Sequence, residues 1–310
     1  MEPRRAEHAR VKVGILGTGN VATDLAHKLL AREGPLELAL VAGIPSDPEG
    51  LERVRRLGVE ASADGVEAIL EEPEIRIVFD ATTAKARARH AAPLREAGKV
   101  AVDLTPAAIG PAVVPAVNGS EHSDAESVSL LTCPAQAAVP IAHAVSSLVP
   151  TLYAEVVSTL ASSSAGPGLR QNVDELVSVT ARGLERVGGA RHGKAIVVLS
   201  PAVPPVTMRN TVYVVPDGEL AEEDVVRSVL RTVGELRRSV PGYRLREEPA
   251  FELKETPWGS RRVVVVLVEV EGAGDVLPPY AGNLDVATVA AREVGERLAQ
   301  RLLAAEEAVA

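Results

Sequence analysis

The chain has 310 residues, 46% of them hydrophobic and 24% charged, enough for two domains that each bury a core. Its formal net charge of −9 argues against a nucleic-acid partner, whose phosphates need a basic face, and its apolar runs fall short of the roughly 20 residues of a membrane span. One cysteine, Cys133, leaves no intrachain disulfide and no cysteine-rich metal site, and the charged opening followed at once by an apolar run has no secretory pattern, so the expected location is the cytoplasm.

Over the first hundred residues, continuous apolar runs alternate with helical patterns, which implies parallel strands joined by crossover helices. Strands are predicted at Val11 to Leu16, Leu36 to Ala42, Ile75 to Phe79 and Val100 to Leu104, with helices over Val21 to Arg32, Pro48 to Leu57, Asp64 to Leu70 and Ala84 to Ala97. An apolar helix follows Cys133, over Ala137 to Leu148. From about Tyr153 the strands lengthen and alternate: Tyr153 to Leu160, Lys194 to Leu199, Asn210 to Val215 and Arg261 to Glu271. Helices over Val173 to Val187 and Glu219 to Ser239 separate them, Pro249 to Gly259 reads as a loop, and a last helix runs from Leu284 to Leu303.

Directly after the first strand stands Gly17-Thr18-Gly19-Asn20-Val21-Ala22, with G-x-G-x-x-A spacing, opening a helix. Gly17 allows a tight turn, Gly19 lets the backbone approach a pyrophosphate, and the helix N-terminus offers N–H donors to the anion. The fold class is therefore α/β: a Rossmann-type doubly wound parallel sheet plus a second α+β domain with a mostly antiparallel sheet. Residues 1–133 form the expected dinucleotide-binding domain and 134–283 a catalytic and dimerisation domain, with the helix over 284–310 packing back on the first. The acid expected after the second strand, to grip the ribose, is absent; Asp47 and Ser46 are the substitutes within reach. No arginine stands at that turn to welcome a 2′-phosphate, which favours NAD and leaves NADP possible.

Cys133 precedes an apolar helix whose N-terminus lowers a thiol's pKa, as a nucleophile that attacks an aldehyde requires. By itself a lone cysteine fits a buried structural role equally well. The six histidines show no metal-ligand spacing and read as surface or packing residues, and His143 lies ten residues beyond Cys133, too far along a helix for contact.

Longer segments carry a family resemblance: Gly17-Thr18-Gly19-Asn20 with Thr23-Asp24-Leu25; Ile77-Val78-Phe79-Asp80-Ala81-Thr82; Asp103-Leu104-Thr105-Pro106-Ala107-Ala108-Ile109-Gly110-Pro111; Ser164-Ala165-Gly166-Pro167-Gly168; and Tyr280-Ala281-Gly282-Asn283-Leu284-Asp285. Together they resemble the acetylating acetaldehyde dehydrogenases from about Val11 to Ala291. The resemblance implies an oxidoreductase that converts a short aldehyde and coenzyme A to acyl-CoA with NAD, through a thioacyl group on Cys133. It implies cofactor contacts from Gly17, Thr18, Gly19, Asn20 and Val21, from Ala81 and Thr82, and from Ser164, Ala165, Gly166, Pro167, Gly168 and Asn172. Asn283 would lie at the nicotinamide end, and Asn172 could also hold the aldehyde oxygen. It further implies a homo-oligomer and a pyruvate-forming aldolase as partner.

Four segments depart from the family pattern. Cys-Gly-Gly-Gln is Cys133-Pro134-Ala135-Gln136 here; Met-Arg-Asp-Thr is Met208-Arg209-Asn210-Thr211, which puts Asn210 where the family has its general base; Ala-Ser-Lys-Ser is Ala161-Ser162-Ser163-Ser164; and Asn-Pro-Ala-Glu is Ser200-Pro201-Ala202-Val203. Proline offers no N–H and an amide takes no proton. The alternatives are therefore oxidation with water or a carrier thiol as acceptor, thioester reduction, or a catalytically weak NAD-binding partner subunit.

Overall fold

The computed structural model describes residues 9–308. β1 (Val11–Leu16) leads through the glycine turn into α1 (Asn20–Leu30), β2 (Leu36–Ala42) into α2 (Pro48–Arg55), and β3 (Ala61–Ser62) into α3 (Val66–Leu70). β4 (Ile75–Asp80) leads into α4 (Ala84–Glu96), and β5 (Val100–Asp103) through a loop and α5 (Pro115–Asn118) into β6 (Ser127–Ser129). These strands form one parallel sheet in the order β3-β2-β1-β4-β5-β6. The order reverses between β1 and β4, so the chain leaves their C-terminal ends in opposite directions and opens a crevice there. Continuous apolar strands are used because both faces are covered: Val13, Ile15, Phe79 and Val102 pack with Leu25 of α1, while Leu16, Leu40 and Val78 pack with Ile69 and Leu94.

The second layer begins with α6 (Cys133–Ser146), followed by β7 (Thr151–Ala161), α7 (Pro167–Gln171), α8 (Val173–Arg186), β8 (Ala190–Ser200) and β9 (Met208–Pro216). Next come α9 (Glu222–Ser239), β10 (Tyr243–Leu245), β11 (Ala250–Thr256), β12 (Gly259–Val270) and α10 (Gly282–Glu307). The sheet runs β10-β12-β9-β7-β8, with β11 also on β12, and only β7 and β8 are parallel. One face, with Val156, Leu160, Val212 and Val266, packs in a single core with Val139 of α6, Val179 of α8 and Val229 of α9. The opposite face carries Tyr153, Val157, Thr211 and Leu267 together with Ile196 and Val198, which are 37% and 44% exposed.

The expected loop over Pro249 to Gly259 is instead β11 and the turn of a hairpin, in register with β12 from Ala250 opposite Val265 to Thr256 opposite Gly259. Most of its side chains are exposed, so burial wrote no apolar alternation into the sequence. α10 places Val294 and Leu298 in the core of the first sheet, while its first turns place Val286 and Val289 in the second core. One helix thus touches both layers.

Candidate active site

The glycine turn sits at the crevice. Gly17 has φ +108°, and a Cβ there would lie 2.8 Å from the Ala81 carbonyl oxygen, so only glycine lets β1 pass this close to the end of β4. A Cβ on Gly19 would meet nothing within 4 Å, and no side chain caps the start of α1. An open glycine before an uncapped helix N-terminus is a cradle that fits a pyrophosphate. Ala81 N–H donates to Leu16 O at 2.9 Å, and Thr82 donates from both its N–H and its hydroxyl to Asp80, which also holds His90 Nδ1 at 2.8 Å. Asp80 is fully buried, so this pairing fixes the far wall of the crevice and gives His90 a packing role.

Past β2, Asp47 caps α2 by accepting from Gly50 N–H at 3.1 Å, and it accepts the Thr18 hydroxyl at 2.5 Å. Its carboxylate therefore stands against the glycine turn. Arg53, from α2, reaches the glycine turn as well and donates to Thr18 O at 2.9 Å. A residue one and a half helical turns past the cap folds back to the same loop, which no local pattern announces.

Cys133 occupies the first position of α6 behind a left-handed turn at Leu131, φ +59°. The strained residue reverses the chain between β6 and α6 and presents Cys133 at the strand end. Thr132 caps the helix, its hydroxyl accepting from Ala135 N–H at 3.2 Å and sharing a 2.6 Å hydrogen bond with Thr180 of α8. Gln136, one turn along, donates to Val113 O and Leu130 O and so ties the helix to the loop and strand before it. Pro134 falls in the first turn, where its missing N–H costs no helical bond.

The thiol does not follow the expected downward shift. Burial pushes it up to about 12; its own backbone N–H and the Asn283 amide act in the other direction. Among the described residues no carboxylate or imidazole joins those influences on the sulfur. α6 is continuous, so His143 is carried nearly three turns away.

Asn283, in the first turn of α10, is fully buried, and among the described residues neither polar atom of its carboxamide has a hydrogen-bond partner. Among the described residues it is the one side chain that favours the Cys133 thiolate. Asn210 is buried on β9 and accepts a hydrogen bond from Ser158, while its Nδ2 has no partner among the described residues. Asn172 lies at the junction of α7 and α8. Ser164 donates to Ala161 O at 2.9 Å, and Arg170 pins the same loop through Ala165 O and Ser162 O. A Cβ on Gly166 would meet nothing within 4 Å, whereas the side chains of Pro167 and Gly168 lie outside the described residues. A cavity of about 300 Å3 opens between α5, α6, α9 and α10; Gln136 and Val286 line it, each one turn beyond Cys133 and Asn283, which do not.

Comparison with known proteins gives the family. The family model for prokaryotic acetaldehyde dehydrogenase, dimerisation, matches residues 133–278. An acetaldehyde dehydrogenase of Chloroflexus aggregans is 59% identical over 294 residues, covering 95% of this chain and 97% of that protein. One of Thermus thermophilus is 59% identical over 304 residues, covering 97% and 99%.

The chain belongs to the acetaldehyde dehydrogenase family.

The expectation drawn from sequence motifs is borne out, and with it the Rossmann-like sheet and the second mixed sheet. The crystal structure of aspartate semialdehyde dehydrogenase II from Vibrio cholerae, 16% identical, shares the fold with a TM-score of 0.64 over 94% of this chain and 99% of that one. The match to a dimerisation model falls on the second layer, whose outer sheet face carries exposed Ile196 and Val198. Among the described residues no helix is long and apolar enough to cross a membrane, and no cluster of three or more histidine, cysteine or acidic side chains could hold a metal.

Proposed function

We propose that the protein oxidises a short aldehyde to an acyl thioester, with Cys133 as nucleophile, NAD as hydride acceptor and coenzyme A as acyl acceptor. The observation that carries the reading is the Asn283 amide, which is buried, has no hydrogen-bond partner among the described residues, and stands close enough to Cys133 at its helix start to favour the thiolate. A buried amide without a partner is unfavourable by about 1 to 3 kcal/mol unless something in the working site uses it.

In this reading the Cys133 thiol gives its proton to solvent, and the thiolate bonds to the carbonyl carbon while the carbonyl π electrons move to oxygen. The Asn283 amide and the Cys133 N–H are the donors proposed for that oxyanion, with Asn172 as a further donor; one such donor commonly supplies roughly 3 to 4 kcal/mol. Pro134 supplies none. A nicotinamide held by the glycine turn and the Ser164 to Asn172 loop would supply the acceptor for the hydride that leaves the same carbon. Collapse of the oxyanion leaves a thioester on Cys133, which the coenzyme A thiolate then attacks, releasing the Cys133 sulfur as thiolate.

Gly17, Thr18, Gly19, Asn20 and Val21 would hold the pyrophosphate, Ala81 and Thr82 would line the crevice, and the loop from Ser164 to Asn172 would close over the nicotinamide. We assign NAD over NADP to Asp47, because a 2′-phosphate placed against the glycine turn would meet its carboxylate, while Arg53 is engaged with the Thr18 carbonyl. Asp47→Ala is expected to narrow the ratio of kcat/KM for NAD over NADP by roughly tenfold, and an unchanged ratio would remove that assignment. The dinucleotide-binding part is placed at 1–133 and the catalytic and dimerisation part at 134–283, in a cytoplasmic homo-oligomer fed by an aldolase.

Asn210 favours a second reading, a catalytically weak partner subunit, because an amide held by Ser158 takes no proton. Turnover that rises in Asn210→Asp would support it. Omitting NAD, aldehyde or coenzyme A one at a time, while following the reduced-nicotinamide absorbance, tests the main reading: growth that needs all three supports it, and growth without coenzyme A sinks the acylating step.

A further inference from the structure

The Asn283 amide acts on the Cys133 sulfur, yet among the described residues neither of its polar atoms has a hydrogen-bond partner to fix it. What sets its position is the helix that carries it. Two residues on, Asp285 Oδ1 lies 2.7 Å from Lys28 Nζ; Lys28 Nζ lies 2.6 Å from Asp24 Oδ2, and Thr288 donates to that same Asp24 oxygen at 2.5 Å. All four side chains are buried. Asp24 and Lys28 belong to α1, the helix opened by the glycine turn, whereas Asp285 and Thr288 belong to α10.

The charges suit a device for register more than one for stability. One ammonium serves two carboxylates away from water, and the cost of burying three charges offsets much of their attraction, so apolar side chains of the same volume would hold two helices together as firmly. What apolar packing lacks is direction. Short contacts at both carboxylates fix the rotation and height of α10 relative to α1, and with them the location of Asn283.

We propose that Lys28, Asp24 and Asp285 form a positioning network that sets the Asn283 amide at the Cys133 sulfur from the helix that also receives the cofactor. The proposal rests on Cys133 being the nucleophile. None of the three touches the reacting atoms; they act through Asn283.

A double-mutant cycle on the full-length protein tests it, using Asn283→Ala, Asp285→Asn and the double variant, with Asp24→Asn as a second entry to the network and Cys133→Ser beside them. The readouts are kcat and the KM for NAD with a short aldehyde, and the pH profile of alkylation by iodoacetamide, which reports on Cys133 because the chain has no other cysteine. Asp285→Asn and Asp24→Asn are each expected to lower kcat about tenfold, to leave the KM for NAD within about twofold, and to move the alkylation profile to higher pH. The double variant is expected to be no worse than Asn283→Ala, because the network would have nothing left to position. Losses that multiply in the double variant, or a wild-type kcat and alkylation profile with only a lower melting temperature, would overturn the proposal. Retained turnover in Cys133→Ser would overturn the nucleophile reading itself, while an inactive Cys133→Ser beside multiplying losses would overturn only the network.

Discussion

Cys133 sets two effects against each other. The start of α6 favours an anion by roughly 0.3 to 2 kcal/mol, whereas the shift of its thiol from 9 to about 12 corresponds to about 4 kcal/mol against one, so burial wins. Alkylation of the protein alone is therefore expected to be slow at neutral pH and to rise about tenfold per unit well past pH 9; a plateau below pH 9 would show that the thiolate forms easily. Asp103 gives a second pH signal. It is fully buried and accepts from Thr105 and Ile109 N–H, yet burial outweighs those bonds and nearby Arg87 and raises its carboxyl to about 6. A carboxyl raised on folding stabilises the protein below its unfolded pKa, near 3.8, and that contribution is lost as pH climbs through about 6. The loss amounts to about 3 kcal/mol, and Asp103→Asn should flatten the urea-measured stability between pH 4 and 7 relative to wild type. An identical slope in the variant would move the titration elsewhere.

Among the elements, α6 is held at its start by a side-chain cap. Thr132 holds the Ala135 N–H and the Thr180 hydroxyl at once, so Thr132→Ala should cost about 1 to 2 kcal/mol in denaturant unfolding, and a cost near zero would mean that Thr132 does not hold α6 in place. What could be read in advance at this scale follows burial. β1 and β2 were legible to the residue because both faces are covered and every position is apolar or nearly so. β11 was not, since an exposed hairpin is selected by its ladder with β12 and carries Glu252, Lys254 and Glu255 on open surface. The Gly17 to Val21 turn announced itself through spacing, whereas Arg53 and the Lys28 network depend on how helices distant in sequence meet, which no local pattern encodes. Cys133 and Asn283 were marked by family motifs 150 residues apart; their meeting is a product of the fold, because α10 returns between the layers. The sequence signal for a lowered thiol pKa failed for the same reason: helix position is local, and desolvation depends on everything packed around the sulfur.

At the level of the whole molecule, α10 joins the two sheets and the second sheet leaves one side partly exposed. The outward face of β7, β8, β9 and β12 mixes Tyr153, Ile196, Val198, Tyr213 and Leu267 with charged neighbours, and the dimerisation family model covers this segment. A charge placed there should separate the subunits: Ile196→Asp is expected to lower the mass seen by sedimentation to that of one chain, and an unchanged mass would place the interface elsewhere. The account as a whole stands on Cys133 carrying the acyl group between aldehyde and coenzyme A. The measurement that tests it most directly is nicotinamide reduction by wild type and Cys133→Ser with NAD, a short aldehyde and coenzyme A, each omitted in turn. Reduction by wild type only when all three are present, and none by Cys133→Ser, is the expected result; reduction by Cys133→Ser, or sustained reduction without coenzyme A, would contradict it.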